Sequence, residues 1–209
     1  MNPTPATKDK LLDAALGAFR LKGYSGTSVD DICRQAGVTK GAFFHHFKGK
    51  EDLAVASAAY WTEVTEALFA QAPYQQAAEP RERLLGYIDF RSSLIEGEIA
   101  DFTCLLGTMV QETYATSPAI RDACNQALAA HAATLEPVIA AAKRLHAARA
   151  RWQPLSLALH MQATIQGAFI LAKAQQDPGI ARECLAHLRA YVASLLLAAP
   201  ALPKTVARH

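Results

Sequence analysis

Residues 27–53 read TSVDDICRQAGVTKGAFFHHFKGKEDL, and this stretch decides the reading of the chain. Thr27 suits an N-cap position, with Asp30 three residues on, near the positive end of a helix dipole. Val29, Ile32, Cys33 and Ala36 recur at helical spacing and mark one apolar face. Gly37 follows, where a helix C-terminus favours a residue that tolerates positive φ. A second short helix is predicted from about Thr39. It turns Val38, Phe43 and Phe47 inward and Lys40, His45 and His46 outward. Two short helices joined by a tight turn, the second with a polar and cationic outer face, form a helix-turn-helix suited to the DNA major groove.

Outward from this unit, the chain of 209 residues is 51% hydrophobic, enough for a packed core. Alanine and leucine dominate after residue 54 and long β-branched alternations are absent, so the predicted class is all-α. The net charge of +2 is too mild to advertise nucleic-acid binding by itself. Position says more: Lys40, His45, His46, Lys48 and Lys50 cluster at the second helix and its exit. Nothing before Lys8 reads as a signal peptide. The longest late apolar run, Tyr191 to Ala201, falls short of the ~20 residues of a membrane span. Cys33, Cys104, Cys124 and Cys184 are scattered, without metal-ligand spacing. Reduced thiols in the cytoplasm are expected, with no metal, cofactor or membrane partner.

About nine helices are predicted. Three occupy Lys8–Lys22, Ser28–Gln35 and Lys40–His46, after a flexible start at residues 1–7. Lys50–Ala72 leads out of this head, and Pro73 to Pro80 interrupts the pattern. Arg81–Ile95 follows, then a loop at Gly97–Thr103 and a helix from Cys104 to Thr113. A long helix runs from Ser117 to Ala148, where Pro137 should kink or interrupt it. The last two run from Pro154 to Gln175 and from Ile180 to Ala198, before a loose tail holding Pro200 and Pro203. A head at residues 1–53 and a larger helical body at 54–209 result.

The amphipathic segment LLDAALGAFRLKGY (residues 11–24), the run Thr27 to Ile32 and the closing Phe47-Lys-Gly-Lys-Glu-Asp-Leu53 together resemble the N-terminal domain of the TetR family of bacterial transcriptional regulators. There the closing run is typically Phe-Lys-x-Lys-Glu-x-Leu, which Phe47, Lys48, Lys50, Glu51 and Leu53 match. The pattern Asp101-Phe-Thr-Cys104-Leu-Leu-Gly107 also resembles a Gly-Cys-Leu-hydrophobic-Gly stretch in one TetR subgroup, with Thr103 in place of Gly. The resemblance implies a DNA-binding regulator that represses from a pseudo-palindromic operator as a homodimer.

Lys40, in the first turn of the second helix, is the expected base reader, its arm suited to guanine O6 or N7. Gly41 and Ala42 are small enough for close approach; in the family these three positions face DNA. Thr27, Ser28 and Thr39 at helix N-termini, with His45, Lys48 and Lys50, are expected phosphate contacts. Phe44 stands where the family has Tyr, so a phenolic phosphate contact is lost while the ring remains to pack on sugar or a thymine methyl. His46 is read as either partly buried or DNA-facing.

The resemblance implies a dimer, which sets two recognition helices about one helical turn, ~34–36 Å, apart. The last two helices are the expected interface, through Leu155, Leu159, Ile165, Gly167, Ala168 and Leu171 on one and Leu188, Tyr191, Val192, Leu195 and Leu196 on the other. The resemblance further implies a small-molecule effector in the body, mainly apolar or aromatic. Expected liners are Trp61, Phe90, Phe102, Cys104, Met109, Tyr114, Gln162, Gln166 and Phe169, with Tyr60, Phe69 and Met161 also considered. Gln162 and Gln166 stand out as amides one turn apart in an apolar segment. An alternative makes Cys104 the trigger of a thiol-based sensor, its helix-start position favouring thiolate and nearby Asp101 opposing it. An enzyme is not expected: His131, His146, His160 and His187 are dispersed, with no nucleophile elbow or phosphate loop. The acidic residues Asp89, Glu96, Glu98 and Asp101 and the basic run Lys143 to Arg151 read as solvated surface and a helix terminus.

Overall fold

A computed structural model of the chain describes residues 6–197. Parts of the expected flexible start and the whole tail with Pro200 and Pro203 lie outside the described residues. The fold is all-helical. Helices α1 (Thr7–Lys22), α2 (Val29–Ala36) and α3 (Lys40–His46) form the head. Helix α4 (Lys50–Ala70) leads into α5 (Pro80–Ser93), α6 (Ile99–Phe102), α7 (Leu105–Thr113), α8 (Pro118–His146), α9 (Pro154–Gln175) and α10 (Pro178–Leu195).

Two short elements were not foreseen. A 3₁₀ turn occupies Pro73–Gln76, and α6 replaces part of the loop expected at residues 97–103. The four residues of α6 lack any amphipathic period of their own. A local clasp holds them: the Asp101 carboxylate accepts from the Glu98 N–H at 3.0 Å, while the Asp101 carbonyl accepts from Arg20 Nη1 of α1 at 2.7 Å. Pro137 does not interrupt α8, which stays helical on both sides of it. Pro137 has no N–H to donate back along the helix, and the continuous segment is instead held by the burial of Ala132, Leu135, Ile139 and Ala142.

The head core is built from Leu11, Ala15 and Phe19 of α1, Ile32 of α2, Phe43 of α3 and Leu53 of α4, each inaccessible to solvent. Burying the Leu, Ile and Phe side chains stabilises by ~1.5–3 kcal/mol apiece, which holds α2 and α3, individually too short to persist. In the body, α5 packs against α8 and α10, and α9 against the same two helices, through Ile88, Ile139, Met161, Ile165, Leu185 and Val192. Helix α9 is long and apolar enough in composition to cross a membrane. Its buried face (Leu157, Met161, Ile165, Ala168, Ala172) instead packs between α8 and α10.

Polar contacts couple head to body. Glu112 of α7 accepts from the backbone N–H groups of Tyr24 and Ser25 at 3.1 and 2.8 Å. Gly23, at φ 77°, is required there, because a Cβ would lie 2.1 Å from Glu112 Oε1. Lys173 of α9 donates to the Arg20 carbonyl at 3.5 Å, and Glu51 at the start of α4 accepts from the Ser117 hydroxyl.

Candidate nucleic-acid interface and effector cavity

The helix-turn-helix is set by its caps. Ser28, not Thr27, is the N-cap of α2: its hydroxyl accepts from the Asp31 N–H at 3.1 Å, and Asp31 returns a bond to the Ser28 N–H. The Ser28 hydroxyl, which donates to the Asp31 carboxylate at 2.7 Å, and then the Ser28 N–H hold that carboxyl below the usual carboxylate range. Gly37 ends α2 in the left-handed region at φ 66°, which turns the chain into α3. Thr39 caps α3 by accepting from the Ala42 N–H at 3.2 Å. Phe43 and Phe47 point into the core. The opposite face of α3 therefore carries Lys40, Gly41, Phe44, His45 and His46, all exposed. Phe44 is 58% exposed. His46 is exposed too, its ring set edge-on to that of His45. Ala42 is half-buried, and Ser28, Thr39 and Lys48 are exposed.

Two expected phosphate contacts have other work. Thr27 is 1% exposed, and its hydroxyl donates to the carbonyl of Gly23 at 2.7 Å, so it cannot reach DNA. The sequence marked it as polar at a helix start; the fold places the helix one residue later and turns Thr27 inward. Lys50 Nζ donates to the carbonyls of Tyr24 and Thr27, 2.9 Å each, and stands 4.3 Å from the centroid of the Tyr24 ring. It ties the loop after α1 to the start of α4. Lys40 meets Asp30 at 2.7 Å across the turn, and that hydrogen bond holds its ammonium pKa above the ordinary value. Asp30 thus fixes where the Lys40 arm starts from while both groups remain open to solvent.

In the body, α4, α5, α6, α7, α8 and α9 enclose a cavity of about 190 Å³. Six of the expected residues line it: Trp61, Phe102, Cys104, Gln162, Gln166 and Phe169. Phe69, also considered, lines it too. Three expected liners do not. Met109 is fully buried in the core and Tyr114 is 64% exposed, because the two project from other faces of α7 and its end than the cavity side. Phe90 stacks behind, against Phe69 and Tyr74. Met161 is in the core and Tyr60 bonds Asp13 at 2.8 Å, a contact that pushes its phenol up to about 12.

Sequence reasoning missed Arg91 and His131, which both line the cavity. Gln162 Nε2 donates to the Tyr87 hydroxyl at 3.1 Å, and that hydroxyl lies 2.9 Å from His131 Nε2. Tyr87 is buried, so its proton needs an acceptor, and His131 Nε2 is the one in reach. Burial, with the nearby Arg91 charge, pushes the imidazole down to about 4, which keeps it neutral and able to accept. Cys104 sits at the N-cap of α7, 9% exposed, in the cavity wall. All four cysteines are free thiols.

This geometry has known counterparts. Residues 11–56 match the profile of the bacterial regulatory proteins of the tetR family, and residues 80–188 that of the tetracyclin repressor-like C-terminal domain. The second match alone spans more than half of the chain. The chain belongs to the TetR family. It has the all-α fold of that family. Among curated relatives it is 28% identical over 129 residues to the HTH-type transcriptional regulator LmrA of Bacillus subtilis (strain 168), covering 58% of this chain and 64% of that protein. The uncharacterized HTH-type regulator YxaF of the same organism is 28% identical over 119 residues, 56% of this chain and 62% of its own length. The chain thus spans about three-fifths of these two relatives. Over the head, AcrR of Shigella flexneri is 49% identical across 47 residues, 22% of each chain. The fold matches a TetR regulator from Chloroflexus aurantiacus with TM-score 0.80 at 24% identity, covering 92% of this chain and 97% of that one. It matches reduced NemR of E. coli with TM-score 0.75 at 22% identity, covering 94% and 100%.

Proposed function

We propose that the protein is a dimeric, cytoplasmic repressor that reads a pseudo-palindromic operator through α3 and is released by a small, mainly apolar effector. The observation that carries it is the α3 face: Lys40 and Phe44 exposed on a helix capped by Thr39, locked by Phe43 and Phe47 to a head that Glu112 and Arg20 tie to the body. Residues 1–53 are the reading head and 54–209 the effector and dimerisation body. Lys40 contacts base edges, Gly41 and Ala42 permit close approach, and Ser28, Thr39, His45 and Lys48 hold phosphates.

Dimerisation through α9 and α10 draws support from an exposed apolar stripe. Leu155, Leu159, Ile170 and Leu171 on α9 and Tyr191 on α10 are each 40–51% exposed. Ile165, Ala168, Leu188, Val192 and Leu196 are buried within the protomer and serve its core instead. A Cβ at Gly167 would meet nothing within 4 Å, which leaves room for a partner helix.

Effector coupling follows from α6. Phe102 and Asp101 border the cavity, and the Asp101 carbonyl holds Arg20 of the head. A ligand that prefers a shifted α6 therefore favours a shifted head. The Cys104 trigger is the weaker reading: the thiol is packed in the wall at 9% exposure, although Lys173 lines the adjoining opening beside it.

Fluorescence anisotropy on duplexes enriched from a random pool tests the reading. Wild type should converge on an inverted repeat, and Lys40→Ala should lose it while keeping native circular dichroism. Salt-dependent, sequence-blind binding by wild type would refute the assignment.

A further inference from the structure

The aromatic cavity holds a cation that, among the described residues, has only aromatic rings beside it. Arg91 of α5 lies with its guanidinium 5.4 Å from the Phe69 ring centroid and 5.8 Å from that of Phe169. Among the described residues it enters no hydrogen bond and no ion pair, although it is half-buried and borders the cavity. Two acids share the lining and neither neutralises it. Asp101 is engaged by the Glu98 N–H, and Glu66 is exposed. Gln166 is similarly free: its amide makes no hydrogen bond among the described residues and packs over Gly107, where a Cβ would meet Oε1 at 2.2 Å. Of the other polar groups, Gln162 and His131 meet on the Tyr87 hydroxyl, and the Thr62 and Thr65 hydroxyls donate to the carbonyls of Ala58 and Trp61.

We propose that the cavity selects a single-ring aromatic carboxylate, with the carboxylate on Arg91, the ring among Trp61, Phe102 and Phe169, and Gln166 bonding the acid or a ring substituent. This rests on the effector reading above and specifies its ligand. Five N–H donors on a planar fork match a carboxylate in two parallel bonds. The guanidinium is half-buried between two rings with its N–H groups open to the cavity, so an anion there pairs a charge that only water otherwise satisfies. A cationic ligand would meet the Arg91 charge between the two rings, with the exposed Glu66 and the Asp101 carboxylate to offset it. The size agrees: a cavity of ~150 Å³ takes benzene, and this one of about 190 Å³ takes a ring with one short acidic arm.

The test is calorimetric titration of the full-length protein with benzoate, phenylacetate and trans-cinnamate, each beside its neutral amide. At least one acid should bind wild type ten-fold or more tighter than its amide. Loss of charge-assisted bonds corresponds to ~10- to 100-fold in Kd. Arg91→Gln should therefore erase the preference for the acid while the amide's Kd stays within three-fold, which also shows that the cavity persists. Arg91→Lys, which keeps the charge and loses the fork, should retain part of the preference. Equal binding of acids and amides, or a preference that survives Arg91→Gln, would overturn the proposal and leave an effector cavity standing. Binding by no member of the panel would overturn it as well. An acid that binds through Arg91 without releasing operator DNA would instead remove the effector reading and leave the anion selectivity intact.

Discussion

Replacing Lys50 by Met separates a structural lysine from a DNA-binding one. The variant keeps the aliphatic stem and removes the ammonium, and with it two hydrogen bonds of 2.9 Å to the carbonyls of Tyr24 and Thr27. It also removes the contact with the Tyr24 ring at 4.3 Å. A hydrogen bond to a charged group contributes ~1.5–3 kcal/mol, and a partly exposed cation–π contact ~0.5–1 kcal/mol. Both bonds are only part-buried, so water replaces part of the loss, and a net destabilisation of ~2–3 kcal/mol is expected. At ~2–4 °C per kcal/mol for a chain of this size, Tm should fall by ~5–10 °C. Phosphate contacts have a different signature: each one lost lowers the slope of log K against log salt by ~0.9, or ~1.8 across a dimer. Lys50→Met should lower Tm and leave that slope alone. Lys48→Ala should do the reverse, because Lys48 is exposed and its side chain makes no hydrogen bond among the described residues. Scanning calorimetry and anisotropy at four salt concentrations decide the matter. A Lys50→Met protein with unchanged Tm and a slope reduced by ~1.8 would refute the clamp and restore Lys50 as a phosphate contact.

Lys40→Ala should weaken operator binding by ~1–3 kcal/mol and relax preference at one base pair per half-site, read by anisotropy on single-substituted operators. Ser28→Ala removes the α2 capping box and should cost ~1 kcal/mol in a urea titration, with no change in the body's near-ultraviolet signal. The third concerns pH. His131 is neutral in the fold with its pKa pushed down to about 4, whereas the unfolded ring takes a proton near ~6.5. Between those values the unfolded state binds more protons, so stability is complete above ~6.5 and declines as pH falls towards about 4. The loss is at most ~3 kcal/mol, trimmed by solvent reaching the ring through the cavity. His131→Phe should flatten this decline between urea midpoints at pH 7.5 and 4.5; equal pH slopes in both proteins would contradict the neutral-histidine assignment.

The head was legible in sequence because its determinants are local. A cap, an apolar face at helical spacing, a glycine and a second cap all lie within 20 residues, and helix geometry converts that spacing directly into a face. Hence the outward Lys40, Phe44 and His45 and the inward Phe43 and Phe47 could be read without a fold. Thr27 and Lys50 could not. Their partners, Gly23, Tyr24 and Thr27 itself, are chosen by how the end of α1 lies against the start of α4, and a lysine 23 residues from the carbonyl it binds carries no mark of it. Helix α6 escaped for the same reason, since Arg20 holds it from 81 residues away.

In the body the sequence determined the class, the apolar helices and their approximate ends, because composition and periodicity suffice to specify amphipathic helices that must bury a face. It also singled out Gln162 and Gln166 as amides out of place. Which aromatic residues surround an opening was decided only in three dimensions: Phe102 and Phe169 face each other at 5.8 Å while Tyr114 is left to solvent. The pairing of Tyr87 with His131 and Gln162, 44 and 75 residues away, belongs to the packing as well. So does the unpaired Arg91 between two rings, for whether a charge is neutralised depends on what lies within a few ångströms of it, and helical spacing fixes only which side of its own helix it leaves.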